Sequence, residues 1–522
     1  MRHIPVILLL AQSAWCLGQN QPPAITITGT SFDPETSSIT VEYDLADAEG
    51  DPSTVWLRAS SNGGSHYDLA VVDVVGDAGP GITPGTGRTI VWHFTEPIDL
   101  ESTVIMVVAD DGHIPHIQDM VDQVTEESVA GLLNAVAIPR HHTNHPAGLA
   151  SVRDTMAHAF QTAGLELILH DAVHAGVTVP NVIGRHPGLL NDGQCSIVDG
   201  HYDAVTNTPG ADDNATGVVG TLEAARILAQ YTFRNSLRFV GFAFEEQGLI
   251  GSGQYVQSAI PSWETITGVL NLEMVGFYSE EPGSQNVPAG FELLFPDAVA
   301  DIAADDYRGN FLTVVGNTAS QPLIDTYLDA CDQYVPELRR IPLTVPGTGL
   351  IAPDLRRSDH SRFWDAGLPA LMLTDGSEFR NPNYHQPADA PATVHIGFLT
   401  NCVKATVAAA AMLAEPIHAG WDVRPLTVVG LGEHHHAFPC TATATPQPVQ
   451  GVLQLELGDC APTRITARLF DANGRLFATR HIIHGGGPQR HTIPIEEMAS
   501  GSYLLVLESV GASETLPLMI QR

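Results

Sequence analysis

Residues 201–217 read HYDAVTNTPGADDNATG. They follow an apolar run, CSIVDG at 195–200, and lead into a helical pattern from Gly217 to Gln230. An apolar run without polar alternation, then a loop, then a helix is the repeating unit of a sheet covered on both faces. The loop carries His201, Asp203 and the adjacent pair Asp212 and Asp213, nitrogen and oxygen donors of the kind that make up a metal site. Runs of the same type recur at LRFVGFAF (237–244), ITGVLNL (266–272) and LPALMLT (368–374), with helical stretches between them and a closing one at 393–413. The pattern predicts an α/β domain over 119–417, with a mostly parallel central sheet and helices on both faces.

In an open α/β sheet, ligands bind beyond the carboxyl ends of the strands. His201 follows the first of these runs, Glu245 and Glu246 end the second, Glu273 follows the third, and His385 lies in the loop beyond the fourth. Taken singly, each has a plain reading as a solvated histidine, a charged strand end or a helix cap. Together they place five donors at one edge of one sheet. His360, in SDHSRFWDAG, reads equally as a wall of that site or as a packed core residue.

These segments resemble the co-catalytic zinc exopeptidases, a family that includes bacterial leucyl aminopeptidases, glutamate carboxypeptidases and glutaminyl cyclases. The resemblance rests on GHYD (200–203), GADDNATG (210–217), FAFEEQGLIGS (242–252), NLEMVG (271–276), SDHSRFWDAGLPA (358–370) and YHQPAD (384–389), in family order. It implies two zinc ions, with His201 on one, Asp212 bridging both, Glu246 completing a shell, and Glu273 and His385 on opposite metals. It further implies Glu245 as general base, Asp203 as acceptor of the second N–H of His201, and Tyr384 as a donor to the developing oxyanion. A cis peptide between Asp212 and Asp213 is expected on the same ground. Glu273 departs from the family, which usually has aspartate there. Glutaminyl cyclases lack the histidine found here as His201, so peptide hydrolysis is the expected activity. An exported aminopeptidase is the leading reading. A carboxypeptidase would draw on Arg356, Arg357, Arg362 or Arg380 to hold a terminal carboxylate.

The flanks and the composition set the setting. Residues 1–18 have the basic start and apolar centre of a cleaved secretory signal, and no later apolar run reads as long enough to span a bilayer. From 24 to 112, short alternating runs separated by turn residues predict an N-terminal β-sandwich resembling fibronectin or immunoglobulin-like modules. A linker at 430–450 contains His434, His435 and His436. Strand patterns return over 451–522, with Asn473-Gly474 as a hairpin turn. This small C-terminal β-sandwich resembles the sorting domain of the type IX secretion system. The chain of 522 residues carries 59 Asp+Glu against 24 Lys+Arg, a formal net charge of -35. Such a surface repels phosphate backbones, which excludes nucleic acid as the expected partner; peptides as substrates are what the resemblance implies. Lys404 is the one lysine in the chain, so any strong electrophile has to be a metal or an arginine. Cys195, Cys331 and Cys402 read as buried small side chains, and Cys440 and Cys460 as a pair able to form a disulfide.

Overall fold

The computed structural model describes residues 20–426, 441–445, 449, 452–458, 463–471, 476–484, 487–494, 500–509 and 512–521. The secretory signal, the histidine triplet, Cys440, Cys460 and the Asn473-Gly474 turn lie outside the described residues.

Eight strands form the central sheet: β1 (Glu166–His174), β2 (Val177–His186), β3 (Asn191–His201), β4 (Asn235–Phe242), β5 (Thr265–Leu272), β6 (Leu312–Asn317), β7 (Arg340–Val345) and β8 (Ala370–Thr374). Across the sheet their order is β7-β6-β8-β5-β3-β4-β2-β1. The middle four, β8, β5, β3 and β4, run parallel. Antiparallel joints lie between β8 and β6, β4 and β2, and β2 and β1. The strands that precede the predicted metal ligands are therefore neighbours pointing the same way, and their carboxyl ends form one edge.

Continuous apolar runs are explained by two separate cores. Val198, Phe239, Leu371 and Leu373 face one layer, which contains the helices Glu126–Val136, Pro146–Thr162, Thr216–Leu228, Gln321–Tyr334 and Ile396–Ala414. Their sequence neighbours Ile197, Val240, Ala370 and Met372 face the other, under the helices Ile250–Ser258 and His360–Asp365. With both faces dry, both sets are mainly apolar, and the buried polar exceptions are paired, as where Asn271 Nδ2 donates to Asp199 Oδ1 at 2.8 Å and Arg238 donates to the Tyr255 hydroxyl. Helix Ile396–Ala414 corrects one expectation, because its length and mean hydropathy of 1.5 suffice to cross a membrane. Most of it is buried, with Phe398, Leu399, Val403 and Val407 in the first core.

The helix after the 201–217 loop lies directly on β3. A Cβ added to Gly200 would stand 2.8 Å from the backbone of Gly217, and one added to Gly217 would stand 2.6 Å from Leu272 O. Gly200→Ala is expected to cost about 1–3 kcal/mol through overpacking. Differential scanning calorimetry should show it as a lower melting temperature of this unit.

The N-terminal strands form two antiparallel four-stranded sheets around Ile39, Val41, Leu57 and Trp92. Two details differ from the sequence reading. YDLAVVDVV contributes only the short strand Asp73–Gly76, and one edge is completed by Ala419–Pro425, which returns from beyond the α/β domain to pair with Val104–Asp110. Arg58 and His66 of the sandwich both reach Asp192 of the α/β domain, at 2.7 and 2.9 Å. The C-terminal unit, taken by itself, has a three-stranded and a four-stranded antiparallel sheet sharing a core of Leu453, Leu455, Leu469 and Leu505.

Candidate metal centre

The carboxyl ends of β3, β4 and β5 and the loop after β8 bring two donor groups together, His201 with Glu245 and Glu273, and Asp213 with Glu246 and His385. One carboxylate joins them. Asp213 Oδ1 lies 3.3 Å from His201 Nε2, and its Oδ2 lies 3.1 Å from His385 Nε2. Glu273 Oε2 and Glu245 Oε2 stand 3.5 and 3.9 Å from His201 Nε2, and Glu246 Oε2 stands 3.3 Å from His385 Nε2. His201 is fully buried, while His385 keeps 35% of its side chain exposed and marks the open side.

Asp212, expected to be the bridge, points the other way. Its Oδ1 accepts the Gly276 N–H at 2.9 Å and its Oδ2 accepts from Asn381 Nδ2 at 2.7 Å. The cis peptide likewise lies one residue on, between Asp213 and Asn214. The reason for the shift is how the turn is held. Asp389 accepts the N–H groups of both Asp212 and Asp213, at 2.9 and 3.1 Å. Asn214 binds Leu272 O through Nδ2 and accepts the Gly217 and Met274 N–H groups. Fixed from both sides, the turn presents its second aspartate to the histidines.

Asp203 also acts differently from expectation. His201 Nδ1 lies 3.2 Å from the backbone oxygen of Asp203 and 3.6 Å from its carboxylate. That carboxylate instead accepts the N–H groups of Glu245 and Glu246, at 3.1 and 3.3 Å, and so aligns the two glutamates. Phe244, Met274 and His385 all have left-handed backbone, φ 57°, 52° and 57°. Such strain beside three of the donor positions is typical of a site held by its surroundings.

Three contributors have no signal in the sequence patterns used above. Ser358 donates to Glu273 Oε2 at 2.7 Å and steadies the longer acid. Arg140, fully buried, donates to the carbonyls of Tyr202, Pro209 and Gly210 and closes the loop between His201 and Asp213. Asp389 lies inside YHQPAD, but nothing in the pattern indicates which backbone it holds. His360 resolves to packing: its Nε2 meets Leu355 O at 2.9 Å, its ring stands edge-on to Trp364, and burial pushes its pKa down to about 3.

The charge balance is that of a cation site. Burial works against an imidazolium at His201, yet Glu245 and Glu273 carry its pKa well above the ordinary value. Burial, with Asp213 nearby, pushes Glu246 up to about 7, and burial holds Glu245 well above the carboxylate range. Carboxylates crowded into a dry place need positive charge. His201 Nε2 is buried with no hydrogen-bond partner, as a metal ligand would be. The mixed nitrogen and oxygen set fits zinc.

Residues 181–410 match peptidase family M28, and residues 444–521 match the secretion system C-terminal sorting domain. The uncharacterized protein YfbL of Escherichia coli (strain K12) is 32% identical over 242 residues, 44% of this chain and 70% of that one. The chain belongs to peptidase family M28. Aminopeptidase YwaD of Bacillus subtilis (strain 168) is 38% identical to the M28 chain over 218 residues, 41% of this chain and 40% of YwaD. A probable zinc metalloprotease of Pyrenophora teres f. teres is 24% identical over 289 residues, and the chain covers 59% of its length. Among solved structures, the LapA aminopeptidase of Legionella pneumophila aligns with a TM-score of 0.44 at 18% identity, over 58% of this chain and 76% of LapA. The sorting-domain match marks this M28 peptidase for export to the cell surface or beyond.

Proposed function

We propose that the protein is an exported zinc aminopeptidase that removes N-terminal residues with large apolar side chains from peptides. The observation that carries this reading is the pair of donor groups joined by Asp213, with a cleft that has an apolar wall opening beside them. His201, Asp213 and Glu273 would hold one zinc, and Asp213, Glu246 and His385 the other. Zinc there supplies acidification of a water and polarisation of the scissile carbonyl. Glu245, left over from the two ligand sets and adjacent to both, takes the proton from the attacking water and passes it to the departing amine. Tyr384 donates its O–H to the carbonyl oxygen as negative charge builds there. Asp203 keeps Glu245 and Glu246 aligned through their N–H groups.

The cleft is bounded by Glu273 and Tyr384 on the side of the donors. Phe291, Phe295, Phe311, Ile341, Leu343 and Met372 form an apolar wall within it. The apolar part of this wall rewards burial of an apolar side chain at about 25 cal/mol per Å², while the charged groups Glu273, Asp354 and Arg357 also line the cleft. The arginines needed for a carboxypeptidase are engaged elsewhere. Arg356 makes a bidentate pair with Asp365, Arg362 donates to Gly248 O, and Arg380 is buried against Gln285 and Phe311 O. Arg357 is paired with Glu378.

The test uses the zinc-loaded chain and one short peptide with free ends, with an acetylated N-terminus, or with an amidated C-terminus. Cleavage of the free and amidated forms alone is expected. Cleavage of the acetylated form but not the amidated one would make the enzyme a carboxypeptidase. Among free peptides, N-terminal Phe or Leu should exceed Gly in kcat/KM by about tenfold or more, and equal rates would remove the cleft from the substrate's path.

A further inference from the structure

We infer that Arg357 is a positioning residue that acts through Tyr384, orienting the tyrosine O–H toward the reacting carbonyl; the inference rests on the aminopeptidase reading above. Arg357 Nη2 lies 3.0 Å from the Tyr384 hydroxyl oxygen. A guanidinium has donors only, and a phenol has one hydrogen and two lone pairs. The guanidinium must therefore donate into a phenol lone pair, and the phenol's own hydrogen is directed elsewhere. No other hydrogen-bond partner of that hydroxyl is found among the described residues. The Tyr384 ring is stacked on His385, with centroids 3.8 Å apart and 20° between planes, and it lines the cleft together with Glu273. The hydroxyl thus accepts from a fixed cation on its far side and has its own hydrogen left to donate.

Arg357 is itself held in place. Its other terminal nitrogen donates to Glu378 Oε1, and its guanidinium carbon lies 5.8 Å from the centre of the Tyr384 ring. Hydrogen bonds in a chain polarise one another. The Glu378–Arg357–Tyr384 chain strengthens the O–H donor most when charge appears on the carbonyl oxygen, so its effect belongs in kcat and not in KM. The competing role for Arg357, direct capture of a substrate carboxylate, would appear in KM and only with a free C-terminus.

A double-mutant cycle on the full zinc-loaded chain separates the two. Wild type, Arg357→Met, Tyr384→Phe and the double variant are assayed on a C-terminally amidated peptide, with rates normalised to zinc content and to folded fraction by circular dichroism. Tyr384→Phe should lower kcat by about 10²-fold or more, as loss of one oxyanion donor does. Arg357→Met should lower kcat by about tenfold with KM within about twofold, and in the Tyr384→Phe background it should change kcat by less than about twofold. Arg357→Lys, which keeps a cationic donor on a long side chain, should recover part of the loss. An equal fall in both backgrounds, an unchanged kcat in Arg357→Met, or a KM rise confined to free C-termini would overturn the proposal. A zinc-loaded wild-type chain without aminopeptidase activity would instead overturn the functional reading, and the proposal with it.

Discussion

Glu245→Gln is expected to lower kcat by about 10²–10⁴-fold, the range for removal of a positioned general base, while zinc content stays at the wild-type value. The substitution is isosteric and leaves the Glu245 N–H on Asp203 Oδ1 undisturbed, so the 243–249 turn should keep its course. An amide cannot accept the water's proton, and the loss falls on the chemical step with KM little changed. The zinc measurement decides the role, because Glu245 shares a group with His201 and Glu273. Its Oε2 is the most distant of the three carboxylates around His201 Nε2, at 3.9 Å against 3.3 and 3.5 Å. Loss of about one zinc by plasma emission analysis, together with activity, would make Glu245 a ligand and leave the base unassigned.

The second large effect separates the adjacent aspartates. Asp213→Asn should bring zinc below one ion per chain after dialysis and abolish measurable turnover. An amide at this position offers one oxygen where both Oδ1 and Oδ2 now face a histidine nitrogen. Asp212→Asn should retain zinc and most of the activity. Burial and the nearby Asp375 and Asp389 keep the pKa of Asp212 well above the carboxylate range, and its oxygens face the Gly276 N–H and Asn381 Nδ2 and not the histidines. The carbonyl oxygen of the Asn side chain can still accept the Gly276 N–H. Zinc loss in Asp212→Asn with retention in Asp213→Asn would restore Asp212 as the bridge.

Much of this protein is legible in its linear sequence. The runs at 195–200, 237–244, 266–272 and 368–374 read as strands covered on both sides, because short, mainly apolar runs without polar alternation leave no face for water. His201, Glu245, Glu246, Glu273 and His385 follow such strands closely, and parallel neighbours bring their carboxyl ends to one edge without further information. That much was determined by the sequence alone. The choice between Asp212 and Asp213 was not, since two identical side chains share an irregular turn whose facing is set by Asp389, Asn381 and Gly276, each at least 60 residues away in the chain. The Asp203 carboxylate was diverted from His201 by two N–H groups on a different strand end. Ala419–Pro425 joins a sheet whose other strands end more than 300 residues earlier, and its exposed, weakly alternating residues carry no mark of that pairing. Arg357 stood among several arginines of equal sequence standing until tertiary contacts engaged the others and left this one against Tyr384. In each case local propensity and periodicity specify an element and its end, while the direction of a side chain within a turn, and the partner of an edge, depend on contacts that only the folded chain brings together.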